Sequence, residues 1–219
     1  MRRLSILLSL MWCLLALPAV AEPLSLQILP AQDVEGNPLP AFRDEVVILL
    51  LVRPDRAEEG RRIGEELAFQ YRGEVRLAVV SVIDVSMVPS FMQGGVRSLI
   101  LDKVRSAEAG LRERFRAAGE RYAPPPGFVV PDWNGELTGA ILRASDRPEY
   151  DLLGRSPRRL TREQRTVLQR ELSQLQNHTH LLVVSAGGQT VRHFLDASEL
   201  PLARTYLSTL LGPPLVSGR

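Results

Sequence analysis

The sequence predicts an α/β domain with a mixed central sheet flanked by helices. Residues 46–52, Val-Val-Ile-Leu-Leu-Leu-Val, form an unbroken apolar run too short to cross a bilayer, the pattern of a strand covered on both faces. A helical pattern and a second apolar run over residues 75–85 follow, which together predict a βαβ unit with two parallel strands. Near the end, residues 181–184 and 190–194 flank Ala186-Gly187-Gly188-Gln189, the pattern of a hairpin.

Residues 1–21 read as a signal peptide. Arg2 and Arg3 precede an apolar core over residues 4–17, and Ala19-Val20-Ala21 makes an A-x-A cleavage site before Glu22. Export to the periplasm or beyond is expected, with no membrane attachment after cleavage. Cys13 lies inside the apolar core behind Met11-Trp12, which does not fit a lipobox. Losing Arg2 and Arg3 leaves 25 basic residues against 25 acidic ones, so the mature chain is neutral and nucleic acid is not an expected partner. Cys13 is the only cysteine, so the mature chain excludes disulfides, thiolate catalysis and cysteine-ligated metal. About 198 residues remain, the size of one domain over 22–212 with a tail at 213–219.

In residues 22–43, Leu24, Leu26 and Ile28 alternate before the Glu35-Gly36-Asn37-Pro38 turn, predicting a strand or hairpin at the sheet edge. Pro54-Asp55 ends the central strand, and Asp55 is placed to cap a helix with Glu58 and Glu59 in its first turn. Ile63, Leu67, Ala68 and Tyr71 give its apolar face, and Gly73 closes it. Asp84 and Ser86 fall at the carboxyl end of the second strand, beside Pro54 and Asp55, where open α/β sheets bind ligands.

Residues 87–125 read as a long helical insert. After an irregular start at 89–95, Val96, Ile100, Val104, Ala107, Leu111 and Phe115 recur at helical spacing, with an end expected near Tyr122 before three prolines. Its many charges of both signs read as a solvated face. Residues 127–137 predict a strand, an Asn134-Gly135 turn and a returning strand, and 143–160 a polar loop. Thr161 and Gln164 make a capping box for a helix carrying Val167, Leu168, Leu172 and Leu175. Ser198 is placed to cap a last helix with Leu202, Ala203, Tyr206, Leu207, Leu210 and Leu211 on one face, stopped by Gly212-Pro213-Pro214.

This element order resembles the thioredoxin-like superfamily, and the insert resembles its exported peroxiredoxin-like or YtfJ-type branch. Phe128-Val129-Val130-Pro131-Asp132-Trp133-Asn134-Gly135 is similar to the strand entering that branch's Asp-x-x-Gly turn, and residues 181–194 to its closing hairpin. The resemblance places Asp55 and Glu58 about where the family's two cysteines would stand, and Thr179 near the family's cis-proline. A carboxylate cannot replace a thiolate in disulfide exchange or peroxide reduction, so thiol redox activity is disfavoured.

His178, His180 and His193 are the only histidines. Two residues apart on a strand, His178 and His180 share a side; a turn of two or four residues centred on Gly187-Gly188 would set His193 opposite Leu182 on that side, whereas a three-residue loop would put it on the other face. The expected arrangement brings His178 or His180 toward Asp55, Glu58 and Asp84, a donor set suited to zinc or another divalent ion. Their ordinary reading is edge-strand histidines and helix-end carboxylates, with no H-E-x-x-H spacing present. The favoured function is a non-catalytic binding or assembly module with a protein partner and no cofactor. Its contact surface would be the long helix or the edge bearing Pro54, Asp55, Glu58, Asp84, Thr179 and His180. The alternative is a metal-binding protein using His178, His180 and His193 with the carboxylates.

Overall fold

A strand of seven consecutive apolar side chains can take them all out of water only where it is covered on both faces. β1 (Val46–Val52) meets that condition, and every one of its residues is buried. The structure, a computed structural model, describes residues 29–30, 32–145, 161–163, 166–167, 170, 177–185 and 191–212. After β1 come α1 (Ala57–Gln70), β2 (Leu77–Asp84), α2 (Gln93–Ala117), β3 (Gly127–Asp132) and α3 (Glu136–Arg143), then β4 (His180–Val184), β5 (Val191–Leu195) and α4 (Leu200–Leu211). Short 3₁₀ turns at Pro54–Arg56, Ser90–Met92 and Ala197–Glu199 lead into α1, α2 and α4.

The strands form one open mixed sheet in the order β3-β2-β1-β4-β5. β1, β2 and β3 are parallel, and β4 and β5 pair antiparallel. The α/β class, the parallel pair and the closing hairpin are as expected, and Leu182 lies opposite His193.

Alternation along β1 divides the core in two. Val47, Leu49 and Leu51 join Ala78, Val80, Val82, Val130 and Leu182 under Ile141 and Leu142 of α3. Val46, Ile48, Leu50 and Val52 join Leu77, Val79, Leu181 and Val183 under Ile63, Leu67 and Tyr71 of α1 and Ala203 and Leu207 of α4. Beyond α1 on this second face, Ile100 of α2 packs with Val34, Val85 and Val129. Glu66 of α1 ties the three helices together, accepting from Arg114 of α2 and Arg204 of α4 at 2.7 Å each.

Several local expectations are corrected. Asp55 does not cap α1: proline at the first 3₁₀ position starts the helical path one residue earlier, and the Asp55 carboxylate accepts from Arg53 Nε at 3.2 Å. Among the described residues of the N-terminal segment, only the Gln32–Pro38 bridge is strand-like. The edge beside β2 belongs instead to β3, whose Val129 carbonyl accepts from the Val34 amide at 2.7 Å. Leu24, Leu26 and Ile28 lie outside the described residues. The insert helix ends at Ala117, because Gly119 at φ 70° lets the Glu120 amide bond back to the Phe115 carbonyl. Ser198 does not cap the last helix, which starts behind Glu199.

No return strand follows β3. The Asp132 carboxylate accepts from the amides of Gly135 (3.0 Å) and Thr138 (2.7 Å), turning the Asn134-Gly135 segment into the start of α3. Of the helix expected after Thr161, the residues Arg162, Glu163, Thr166, Val167 and Arg170 are helical. The signal segment, residues 146–160, Gln164, Leu168, Leu172, Leu175, the 186–190 turn and the tail lie outside the described residues.

Where α1 crosses β1 there is no room for a side chain. A Cβ on Gly60 would stand 2.5 Å from Cγ2 of Val52, within the end of the fully packed strand. Gly60→Ala is expected to destabilise the protein by about 1–3 kcal/mol in urea unfolding, the typical cost of overpacking. Adding Val52→Ala should recover part of that loss, and simple additivity of the two changes would contradict a direct clash.

Candidate functional site

Parallel strands end on one side of a sheet, and an antiparallel neighbour begins there. Leu51 pairs with His180, and His180 with Leu195, so the ends of β1, β2, β3 and β5 and the start of β4 share one edge. That edge holds two distinct arrangements.

The first is a polar network around the start of β4. Glu59 is largely buried, and its Oε2 accepts from the Thr179 hydroxyl at 3.1 Å and the Arg56 guanidinium at 3.3 Å. Its Oε1 accepts from the Ala197 amide at 3.3 Å, and Arg56 donates to the Asn177 carbonyl at 2.6 Å. Asp196 accepts from the Thr179 amide at 2.7 Å and from Nδ1 of His178 at 2.5 Å, while its own amide donates to the Thr179 carbonyl at 2.8 Å.

Asp196 has φ 56° and ψ 179°, a backbone region that ordinarily costs a residue with a side chain about 1–3 kcal/mol. Three hydrogen bonds over-determine it there. Burial by itself would raise the Asp196 carboxyl, but the bonds from His178 and the Thr179 amide, with the charges of His178 and Arg56, outweigh it and hold the group below its ordinary value.

The second arrangement is apolar and open. A cleft of about 550 Å³ lies at the end of β3, lined by Pro30, Pro131, Trp133, Leu137 and Ala140 with the polar Gln93, Asn134 and Glu136, of which Asn134 Nδ2 donates to Glu136 Oε2 at 2.9 Å. The loop after β2 runs beside it: the Val85 amide donates to the Asp132 carbonyl, and Gly135 comes close to Ser86. From that loop Met87 (88% exposed), Phe91 (85%) and Met92 (50%) stand in solvent immediately before Gln93.

The sequence-expected site residues do not converge. Pro54 and Asp55 are exposed on the 3₁₀ turn. Glu58 turns away along α1 to pair with Arg61, whose hydrogen bond keeps the Glu58 carboxyl below its ordinary value. Asp84 accepts from the Ser86 amide at 3.0 Å and stands beside Asp132 in the strand register. Thr179 is fully buried and belongs to the Glu59 network. His180 and His193 are buried together, Nδ1 of one 2.9 Å from Nε2 of the other, while His178 is held by Asp196. Among the described residues, no three His, Cys, Asp or Glu side chains gather closely enough to hold a metal ion.

Glu59, Arg56 and Asp196 were not singled out by sequence. For Glu59 a signal existed: it lies one helical turn before Ile63, on the inward face, whereas Glu58 falls on the outward one. For Asp196 and the exposed Met87, Phe91 and Met92 there was none, since nothing local marks the residue after a strand or separates an exposed apolar loop from a buried one. No model of a known protein family matches the chain, and no curated protein matches it in sequence.

Because the native Asp196 pKa is depressed, its stabilising contribution is present above the unfolded-state value and lost as pH falls through the lower native one. Asp196→Asn is expected to cost about 1.5–3 kcal/mol near neutral pH, the usual worth of hydrogen bonds to a charged group. In denaturation at a series of pH values, that difference should shrink below about pH 4, near the ordinary carboxylate pKa. A difference independent of pH would contradict the assignment.

Proposed function

We propose that this chain is an exported, non-catalytic binding module with a thioredoxin-like layout, and that it holds an extended, uncharged apolar segment of a partner protein at the carboxyl edge of its sheet. The layout is supported by β2-β1-β4-β5, two parallel strands followed by an antiparallel hairpin, with α1 after β1 and α4 at the end. In that layout α2 lies in the insert over residues 87–125, and the turn at Pro54–Arg56 carries no thiol.

The observation that carries the binding reading is the run of exposed Met87, Phe91 and Met92 beside the cleft of Trp133 and Leu137. Large apolar side chains grouped in solvent mark interaction surfaces. Among the described residues of the cleft wall the charged groups are Asp132 and Glu136, the first bonded to the Gly135 and Thr138 amides and the second accepting from Asn134 Nδ2 at 2.9 Å, which disfavours an anionic ligand and suits a neutral chain with Gln93 as its amide contact. The long helix α2 is a weaker contact face, because its charges neutralise one another in pairs such as Glu108–Arg112, Glu113–Arg116 and Asp102–Arg105.

A photo-crosslinking amino acid in place of Phe91, irradiated in cells producing the full chain, should give a discrete protein adduct that the same probe at exposed Glu113 does not. Equal labelling at both positions, or none at 91, would count against the reading. The alternative, a divalent-metal protein, draws on the His180–His193 contact. A zinc-dependent rise in Tm that disappears in His180→Ala would favour it, and an unchanged Tm would remove it.

A further inference from the structure

Methionine is ordinarily a gap-filler in cores, and here it is used otherwise. The chain has four methionines, of which Met1 and Met11 lie in the leader-like segment. The other two, Met87 and Met92, are five residues apart and both exposed, on either side of exposed Phe91. Neither of the two large clusters that fill the sheet faces contains a methionine. With Cys13 also confined to the first 21 residues, Met87 and Met92 are the only sulfur atoms of the remaining chain.

We propose that Met87 and Met92 form an oxidant-sensitive modification site, converted to the sulfoxides by peroxides or hypochlorous acid, and that the conversion turns off the apolar contact surface they frame. In each step the thioether sulfur lone pair attacks the terminal oxygen of the oxidant and an S–O bond forms. With hydrogen peroxide the O–O bond breaks and water leaves; with hypochlorous acid the O–Cl bond breaks and chloride leaves, a proton passing to solvent. Sulfur loses two electrons and the oxidant gains them. The product replaces a flexible apolar side chain by a polar, chiral one and is reversible by methionine sulfoxide reductases. Because these sulfurs lie outside the packed faces, the change falls on the loop and leaves the core intact. Modification itself is independent of the binding reading above; its effect on contact rests on that reading.

The test treats the protein with dilute hydrogen peroxide and follows peptide mass, thermal melting and fluorescence of the uncharged apolar dye Nile red. Both methionines should each gain one oxygen at a rate close to that of free N-acetylmethionine, with Tm unchanged. Dye fluorescence should fall about twofold, since a polar sulfoxide no longer offers apolar area, and should return after treatment with the reductases. Met87→Leu with Met92→Leu should keep its dye signal through the same treatment. Strong protection of either methionine, or a fall in Tm that parallels oxidation, would overturn the site. So would an equal loss of dye signal in the double-leucine variant. Normal oxidation of a protein that never binds the dye would leave the modification site standing and remove the contact surface instead.

Discussion

The structure depends on the complete burial of β1. All seven of its side chains are out of water, alternately on two faces, so neither face of the sheet can be left to solvent near its centre. α1 and α4 must cover one side and α3 the other, while β2 and β4 must flank both edges. Each such Val, Ile or Leu contributes about 1.5–3 kcal/mol by leaving water. The close approach of Gly60 to Val52 is one consequence of how tightly a helix must lie on this strand.

The same constraint organises the edge at which β1 ends. Backbone groups leaving a buried strand still need partners, and here they are supplied by carboxylates rather than by further strand. Glu59 collects Thr179, Arg56 and the Ala197 amide, and Asp196 collects His178 and the Thr179 amide, binding the starts of α1, β4 and the turn before α4 to one another. Charges that could have served acid–base or ligand chemistry are thereby committed to joining elements. Beside this network the edge carries the largely apolar cleft at Trp133 and the exposed methionines and phenylalanine of the loop after β2.

The sheet was legible in the sequence because its signal is long and redundant. An unbroken apolar run, a second one at βαβ distance and a centred Gly-Gly between two short runs each point to one arrangement, and the Leu182–His193 register is the one of the two hairpin alternatives that a two- or four-residue turn would give. Elements decided by a single hydrogen-bonding side chain were less legible. Asn134-Gly135 suits a hairpin turn, yet the Asp132 carboxylate two residues earlier captures two amides and starts a helix. Three prolines suggested where α2 stops, yet Gly119 stops it sooner. The polar network at the edge was hidden for the same reason: adjacent glutamates differ in role only through helical phase, and it is Glu59, not Glu58, that faces inward.

The polar network at this edge is a structural clasp joined to β1, while the neighbouring loop leaves Met87, Phe91 and Met92 in solvent. Amide hydrogen exchange of the native protein tests it most directly. The Thr179 and Ala197 amides should exchange as slowly as those of Leu49 and Leu50, through global unfolding, and the Met87 and Phe91 amides rapidly. Fast exchange at Thr179 and Ala197, or strong protection at Met87 and Phe91, would contradict it.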